Sequence, residues 1–222
     1  MIRGWIDVEV RDREGRVAAK GRHEMRSFVN NILRVLHGYM NSSDDTPLLS
    51  YPSASTTVVD PTGASTSIYI KLYTSGSTTI DRRGGGCPIC LGAPDNNDSY
   101  GIVVGSSDTP LSLDQYSLGS KIPHGSGAGQ LDYGTSTSTE TLDTGVTPPV
   151  YRLRIVRPFT NTSTGSVTIR EVGIYARSYW KREAGVYEDD KYMVGRDVLP
   201  TPYTIPAGGS ASVSVTLEVV LG

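Results

Sequence analysis

The sequence predicts a mainly β protein: an antiparallel β-sandwich, jelly-roll-like, with one N-terminal amphipathic helix and long loops. Three observations lead there. Apolar and polar residues alternate in short runs along most of the chain, which is the period of a strand with one wet face. The 222 residues include 25 Gly, 13 Pro and 13 Tyr but only 2 Phe and 4 Met, a composition rich in turns and strands. A single stretch carries helical spacing, and no fixed-period repeat points to a propeller. No linker divides the chain into halves that each hold a core. Residues 1–222 therefore read as one domain, with loop insertions at 42–66, 75–99 and 119–148.

Ile6, Val8 and Val10 alternate with Asp7, Glu9 and Arg11, and "DREG" (12–15) turns the chain so that 17–20 can return as a hairpin strand. "SFVNNILRVLHGYM" is the helix. Ser27 is its expected N-cap, Phe28, Ile32, Val35, Leu36 and Tyr39 form its apolar stripe, and Gly38 or Asn41 ends it. Pro47, Pro52 and Pro61 break residues 41–67 into loop, after which Ile68, Ile70 and Leu72 alternate as a strand. "YGIVVG" (100–105) is a short buried strand, and Leu111, Leu113, Tyr116, Leu118 and Ile122 are expected to pin the loop behind it. Leu131 and Tyr133 can pair briefly; Tyr151, Leu153 and Ile155 alternate with Arg152 and Arg154. Residues 178–199 suit a hairpin with its tip at 183–190. Ala211, Val213, Val215, Leu217, Val219 and Leu221 make the clearest strand, backed by Ser212, Ser214, Thr216 and Glu218.

Charge is nearly balanced, 21 Lys+Arg against 23 Asp+Glu, so no global field favours nucleic acid or an anionic membrane. No apolar run approaches the roughly 20 residues of a membrane span. The acidic N-terminal stretch does not fit a secretory signal, which places synthesis in the cytoplasm.

The stretch "RPFTNTSTGSVTIREVGIYAR" (157–177) raises the question of a site. Val167 and Ile169 share one face, whereas Val172, Ile174 and Ala176 share the other, so the apolar set switches at Arg170–Glu171. A switch of this kind needs a β-bulge or a strand that passes between layers. Gly173 beside it permits a twist or a close approach. Arg152, Arg154, Arg157 and Arg196 are the candidate partners for Glu171. A catalytic carboxylate wants a second carboxylate or a His nearby, which nothing local supplies. Arg170, Glu171 and Gly173 thus read as a structural joint, and no catalytic residue is assigned.

"GGGCPICLG" places Cys87 and Cys90 as half of a zinc site, with a local disulfide or free thiols weighted equally. Zinc, the one cofactor suggested, would need further ligands from His23, His37, His124, a carboxylate or another subunit. "RRGGG" and "GSGAGQ" lack the ending of a phosphate loop and read as flexible loop. Trp5, Trp180 and the many tyrosines are either a sugar-stacking platform or, more simply, residues of sheet faces and subunit contacts.

Three stretches carry a resemblance: "SFVNNILRVL"; "GIVVGSSDTPLSLDQYSLGSKIPHG"; and "RIVRPFTNTSTGSVTIREVGIYAR" leading to "RDVLPTPYTIPAGGSASVSVTLEV". Together they resemble structural proteins of the virions of tailed bacterial and archaeal viruses, of the decoration, minor capsid or tail type. The resemblance implies a non-catalytic virion protein whose partners are identical subunits and other capsid or tail proteins. A homo-oligomer located in the virion is expected, with no nucleic acid or membrane bound. The long insertions are expected to be poorly fixed until they lie on a neighbour. The alternative is a carbohydrate-binding or adhesin-like β-sandwich module.

Overall fold

The computed structural model describes residues 2–41, 55–69, 87–183 and 186–220. In chain order these form β1 (Ile2–Arg11), β2 (Val17–Glu24), α1 (Asn30–Asn41), β3 (Ser55–Val59), β4 (Ser65–Tyr69), β5 (Cys87–Cys90) and β6 (Gly101–Gly105). There follow β7 (Asp132–Tyr133), β8 (Thr137–Asp143), β9 (Val150–Thr160), β10 (Val167–Glu183), β11 (Val186–Ile205) and β12 (Ser210–Val220). Among the described residues the fold is mainly β, and every ladder between these strands is antiparallel.

The first sheet has the order β2-β1-β12-β9, with β7 and β8 both along the far side of β9; in the second, β10 lies between β11 and the pair β5 and β6. Alternation explains the first sheet. The register sets Ile6 opposite Val215, Val8 opposite Val213 and Val10 opposite Ala211, so both apolar sets fall on one face, and all six residues are buried. Buried residues of both sheets, the helix and the β3–β4 hairpin join in one core cluster.

The helix begins later than expected. The Ser27 hydroxyl donates to the Arg196 carbonyl instead of capping α1, Phe28 bridges Gly195, and the Val29 amide donates to the Val194 carbonyl at 3.1 Å. This segment spends its backbone on the edge of β11 before it can coil. The buried side of α1 is Asn31 and Val35, with Ile32 partly covered; Phe28 and Leu36 of the expected stripe are exposed. Tyr39 lies outside the described side chains.

Asn31 is polar in the core because it behaves as a piece of strand. Its Nδ2 donates to the carbonyls of Val59 (2.8 Å) and Met193 (3.1 Å), and its Oδ1 accepts the Val59 amide at 2.9 Å. One side chain thus joins the β3–β4 hairpin to β11. Asn31→Leu strands these groups at about 1–3 kcal/mol. The expected result is amide exchange across 55–69 accelerated roughly tenfold or more, with β1 and β12 unchanged; unaltered exchange in the hairpin would remove this role.

All three expected insertions contain order. Residues 42–54 and 70–86 lie outside the described residues, but β3, β4 and β5 fall within 42–66 and 75–99 or at their edges, with Val58 and Ala93 fully buried. In the span 119–148, β7 forms where Leu131 and Tyr133 were expected to pair briefly, β8 is an unforeseen strand, and Ile122, Leu131 and Tyr133 are buried. Low apolar density hid β8, which forms because β9 offers an edge to pair with. The β10–β11 hairpin is also longer than expected, with Lys181 opposite Tyr187 and Glu183 opposite Val186.

The predicted irregularity at Arg170 is present, but the extra residues sit on the partner strand. Ile169 pairs with Tyr203 and Glu171 with Val198, so Arg170 alone faces Leu199, Pro200, Thr201 and Pro202. Two prolines lack amide donors, which removes rungs from the ladder there. Beyond the bulge the apolar set does not change faces. Both faces become buried, from Glu171 through Ala176, because Val172, Ile174 and Ala176 join the core while Leu118, Gly119 and Ser120 lie over Glu171, Gly173 and Tyr175.

Candidate functional site

Glu171, opposite Val198, and Arg196, opposite Gly173, lie on a diagonal across the β10–β11 pair, and both side chains have no exposed surface. Arg196 Nε donates to Glu171 Oε2 at 2.6 Å. The carboxylate also accepts the amides of Ser120 (2.8 Å), Gly119 (3.1 Å) and Ser107 (3.3 Å). Arg196 Nη1 reaches Gln115 Oε1 at 2.9 Å and Nη2 the Thr109 carbonyl at 3.0 Å. One ion pair therefore grips the loop of residues 106–120 at five places. The loop comes this close because Gly105 and Gly119 have no side chains: a Cβ on Gly105 would lie 2.4 Å from Glu171 Oε1, and one on Gly119 2.5 Å from Ser107 Oγ. Gly173 plays a similar part, since a Cβ there would meet Leu118 at 2.9 Å and Tyr175 at 2.8 Å. The Leu118 amide donates to the Tyr175 hydroxyl at 2.7 Å, and burial pushes the Tyr175 phenol upward. Arg170 is partly exposed and forms no ion pair among the described residues.

Of the other arginines weighed for Glu171, Arg152 pairs with Glu218 (2.9 Å) and Asp143 (3.2 Å), and Arg154 reaches Ser214 Oγ at 3.2 Å. Arg157 is fully buried and lies on the apolar side of β9 between Ile155 and Phe159. All of its donors go to carbonyls. Nε takes Gly134 (2.8 Å), Nη1 takes Tyr100 (2.9 Å) and Ile102 (3.0 Å), and Nη2 takes Pro94 (3.1 Å) and Asn97. Its guanidinium stands 4.9 Å from the Tyr133 ring centre. Burial lowers its pKa, while the guanidinium remains cationic. An Arg at an apolar parity position was the one signal in the sequence for this role.

Asn161 explains why the "FTN" and "IPAGG" stretches occur together. It is fully buried, and its Nδ2 donates to Gly165, Ile205 and Pro206 carbonyls at 2.8, 3.0 and 3.1 Å. Its own amide donates to Gly209 and its carbonyl accepts from Gly208, both at 2.9 Å. The turn after β9 and the turn before β12 are thus tied by one residue.

Cys90 is disulfide-bonded, and the described residues hold no free cysteine. The other cysteine of the sequence is Cys87, whose side chain lies outside the described residues. A disulfide sulfur carries no thiolate charge, so zinc at this pair requires reduction first. Among the described residues, no group of three or more His, Cys, Asp or Glu is placed to hold a metal. His23 instead meets the Tyr203 hydroxyl at 2.7 Å, with its pKa lowered by burial.

Two surfaces face outward. Leu118 and Ile122 pin the gripped loop as expected, but Leu111, Leu113 and Tyr116 point to solvent. They lie beside α1, where the Asn30 amide donates to the Leu113 carbonyl (3.1 Å) and Asn30 Nδ2 to Asp114 (2.7 Å). Phe28, just before α1, and Leu33 and Leu36 on it are exposed too, and these six side chains on the helix segment and the loop bonded to it are here called the apolar platform. The second surface is a polar trough of about 520 Å³ on the outer face of the first sheet, floored by Ser212, Ser214 and Thr216. No helix among the described residues is long and apolar enough to cross a membrane. Set against family models, curated proteins and solved structures, the chain matches none of them.

Proposed function

We propose that this chain is a structural subunit of a viral particle, which works by gripping identical copies and neighbouring particle proteins and turns over no substrate. The apolar platform carries this reading. Phe28, Leu33, Leu36, Leu111, Leu113 and Tyr116 are six of the ten large apolar side chains exposed among the described residues. Carried by α1, the segment that leads into it and the loop bonded to it, they mark a contact surface where scattered ones would need no explanation. Leu33 and Leu113 are 62% and 65% exposed. Covering both would contribute about 2–3 kcal/mol, a weak contact that gains strength when repeated over many copies. The Glu171–Arg196 pair supports the reading further, because a loop already held in place loses little entropy on docking. As to architecture, we read the two sheets as layers of one jelly-roll-like sandwich, on the strength of the single core cluster they share.

Light scattering and electron microscopy across a concentration series test this. The expected result is concentration-dependent self-association or co-assembly with particle components. A Leu33→Asp, Leu113→Asp double variant should stay monomeric with its thermal midpoint within about 3 °C of wild type, since exposed positions contribute little to stability. A wild-type chain that remained monomeric at high concentration and bound no particle component would end the proposal.

A further inference from the structure

The trough is the strongest feature that the assembly reading does not use. Its geometry follows from register. Across the outer face, Trp5, Thr216, Arg154 and Thr139 form one row, and Asp7, Ser214, Val156 and Thr137 the next. Long side chains stand on the outer strands and short hydroxyls on β12 between them, so the face is hollow along its middle. Ser214 and Thr216 are 2% and 3% exposed at its floor.

Most of the charges in the trough are already matched. Arg22 pairs with Asp7 at 2.9 Å, Lys20 with Glu9 at 3.2 Å, and Arg152 with Glu218 and Asp143. Arg154 is the exception: it is exposed, its one side-chain contact is the neutral Ser214 hydroxyl, and no carboxylate lies within ion-pair distance among the described residues. Beside it Thr216, 3% exposed as a residue, lines the trough, and its hydroxyl makes no hydrogen bond among the described residues. A guanidinium without a counter-ion and a hydroxyl without a partner therefore stand on residues paired across neighbouring strands, both lining the trough.

We infer that this trough binds a carboxylate-bearing saccharide, with Arg154 on the carboxylate and the Ser/Thr floor, Asp7 and Glu9 on the ring hydroxyls. A guanidinium fork suits a carboxylate in two-point contact. Hydroxyls and carboxylates alternate as donors and acceptors, which suits a polyhydroxylated ring, whereas the lining offers little to an apolar ligand. A nucleic-acid backbone brings a charge at every step and would meet Asp7 and Glu9 as well as Arg154. The volume lies within the ordinary range for ligand sites. The inference stands independently of the assembly proposal, since the trough and the platform share no residue.

The test is a calorimetric and Trp-fluorescence titration of the full chain with trigalacturonate, alongside neutral galactotriose, inorganic phosphate and a thymidine oligonucleotide. Trigalacturonate is expected to bind, with galactotriose about tenfold weaker or more. Arg154→Gln and Thr216→Val should each weaken trigalacturonate by about tenfold, while their thermal midpoints show that the fold is kept; Arg154→Lys should retain part of the affinity. No binding at millimolar trigalacturonate, equal binding of the neutral sugar, tighter binding of the oligonucleotide or of phosphate alone, or an Arg154→Gln variant that binds like wild type would each overturn the inference.

Discussion

Arg157→Met is expected to destabilise the protein by about 3–5 kcal/mol. For a chain of this size that is a fall of roughly 6–20 °C in thermal midpoint. Met fills much of the volume, so the loss is not mainly a cavity. It arises because the carbonyls of Pro94, Asn97, Tyr100, Ile102 and Gly134 lose their donors together. Unpaired polar groups in a dry interior cost about 1–3 kcal/mol each, offset in part because no charge need then be buried. Arg157→Lys separates charge from geometry. It keeps the cation but gathers its donors on one nitrogen, which cannot span five carbonyls, so it should recover only a minor part. Urea unfolding of the three proteins measures this, and a Met variant within about 0.5 kcal/mol of wild type would show that the five bonds contribute nothing net.

Glu171→Gln is the second large effect, at about 3–5 kcal/mol. The amide matches the carboxylate in shape, but Arg196 is left as a buried cation without its counter-ion, and the amide nitrogen turns a donor toward donors. The strand pair itself should survive, because its ladder does not pass through the carboxylate. The first consequence is release of residues 106–120, read as new proteolytic cleavage in that loop and faster amide exchange at Ser107, Gly119 and Ser120. The double variant Glu171→Leu, Arg196→Met should be more stable than Glu171→Gln alone, since it removes both charges at once. If Glu171→Gln kept the loop protected, the ion pair would not be what holds it. A released loop should also weaken self-association, because Leu111, Leu113 and Tyr116 then lose their fixed place.

These two residues show how far the sequence could be read. The charged pair in "TIREVGIY" was legible as a joint, because side chains alternate and a Glu among apolar residues needs a partner. Which arginine answers it was not legible: four were equivalent in the sequence, and Arg196 is chosen only when β11 folds back along β10. Arg157, the partner of no acid, stood out only by its place among the apolar positions of its strand, which does not say what it bonds. Its importance comes from the backbone of residues 94–102 passing beneath β9, a long-range event with no local pattern. The polar span 119–148 was misread for the same reason, since β8 is held by the edge of β9 and not by its own apolar content. The apolar residues of the helix and of the 111–118 loop were visible, but which of them face outward depended on how the two segments meet.

What the sequence determined by itself is therefore the local part: the strand class, the inward and outward faces of β1, β9 and β12, the existence of one helix, and a break in pairing near Arg170. These depend on a two-residue or 3.6-residue period that neighbouring side chains set together. What only the tertiary structure decided is the destination of each buried charge, the start of α1 at Asn30, the platform and the trough. Each of these joins groups far apart in the chain, where the free energy depends on a meeting that no local period encodes.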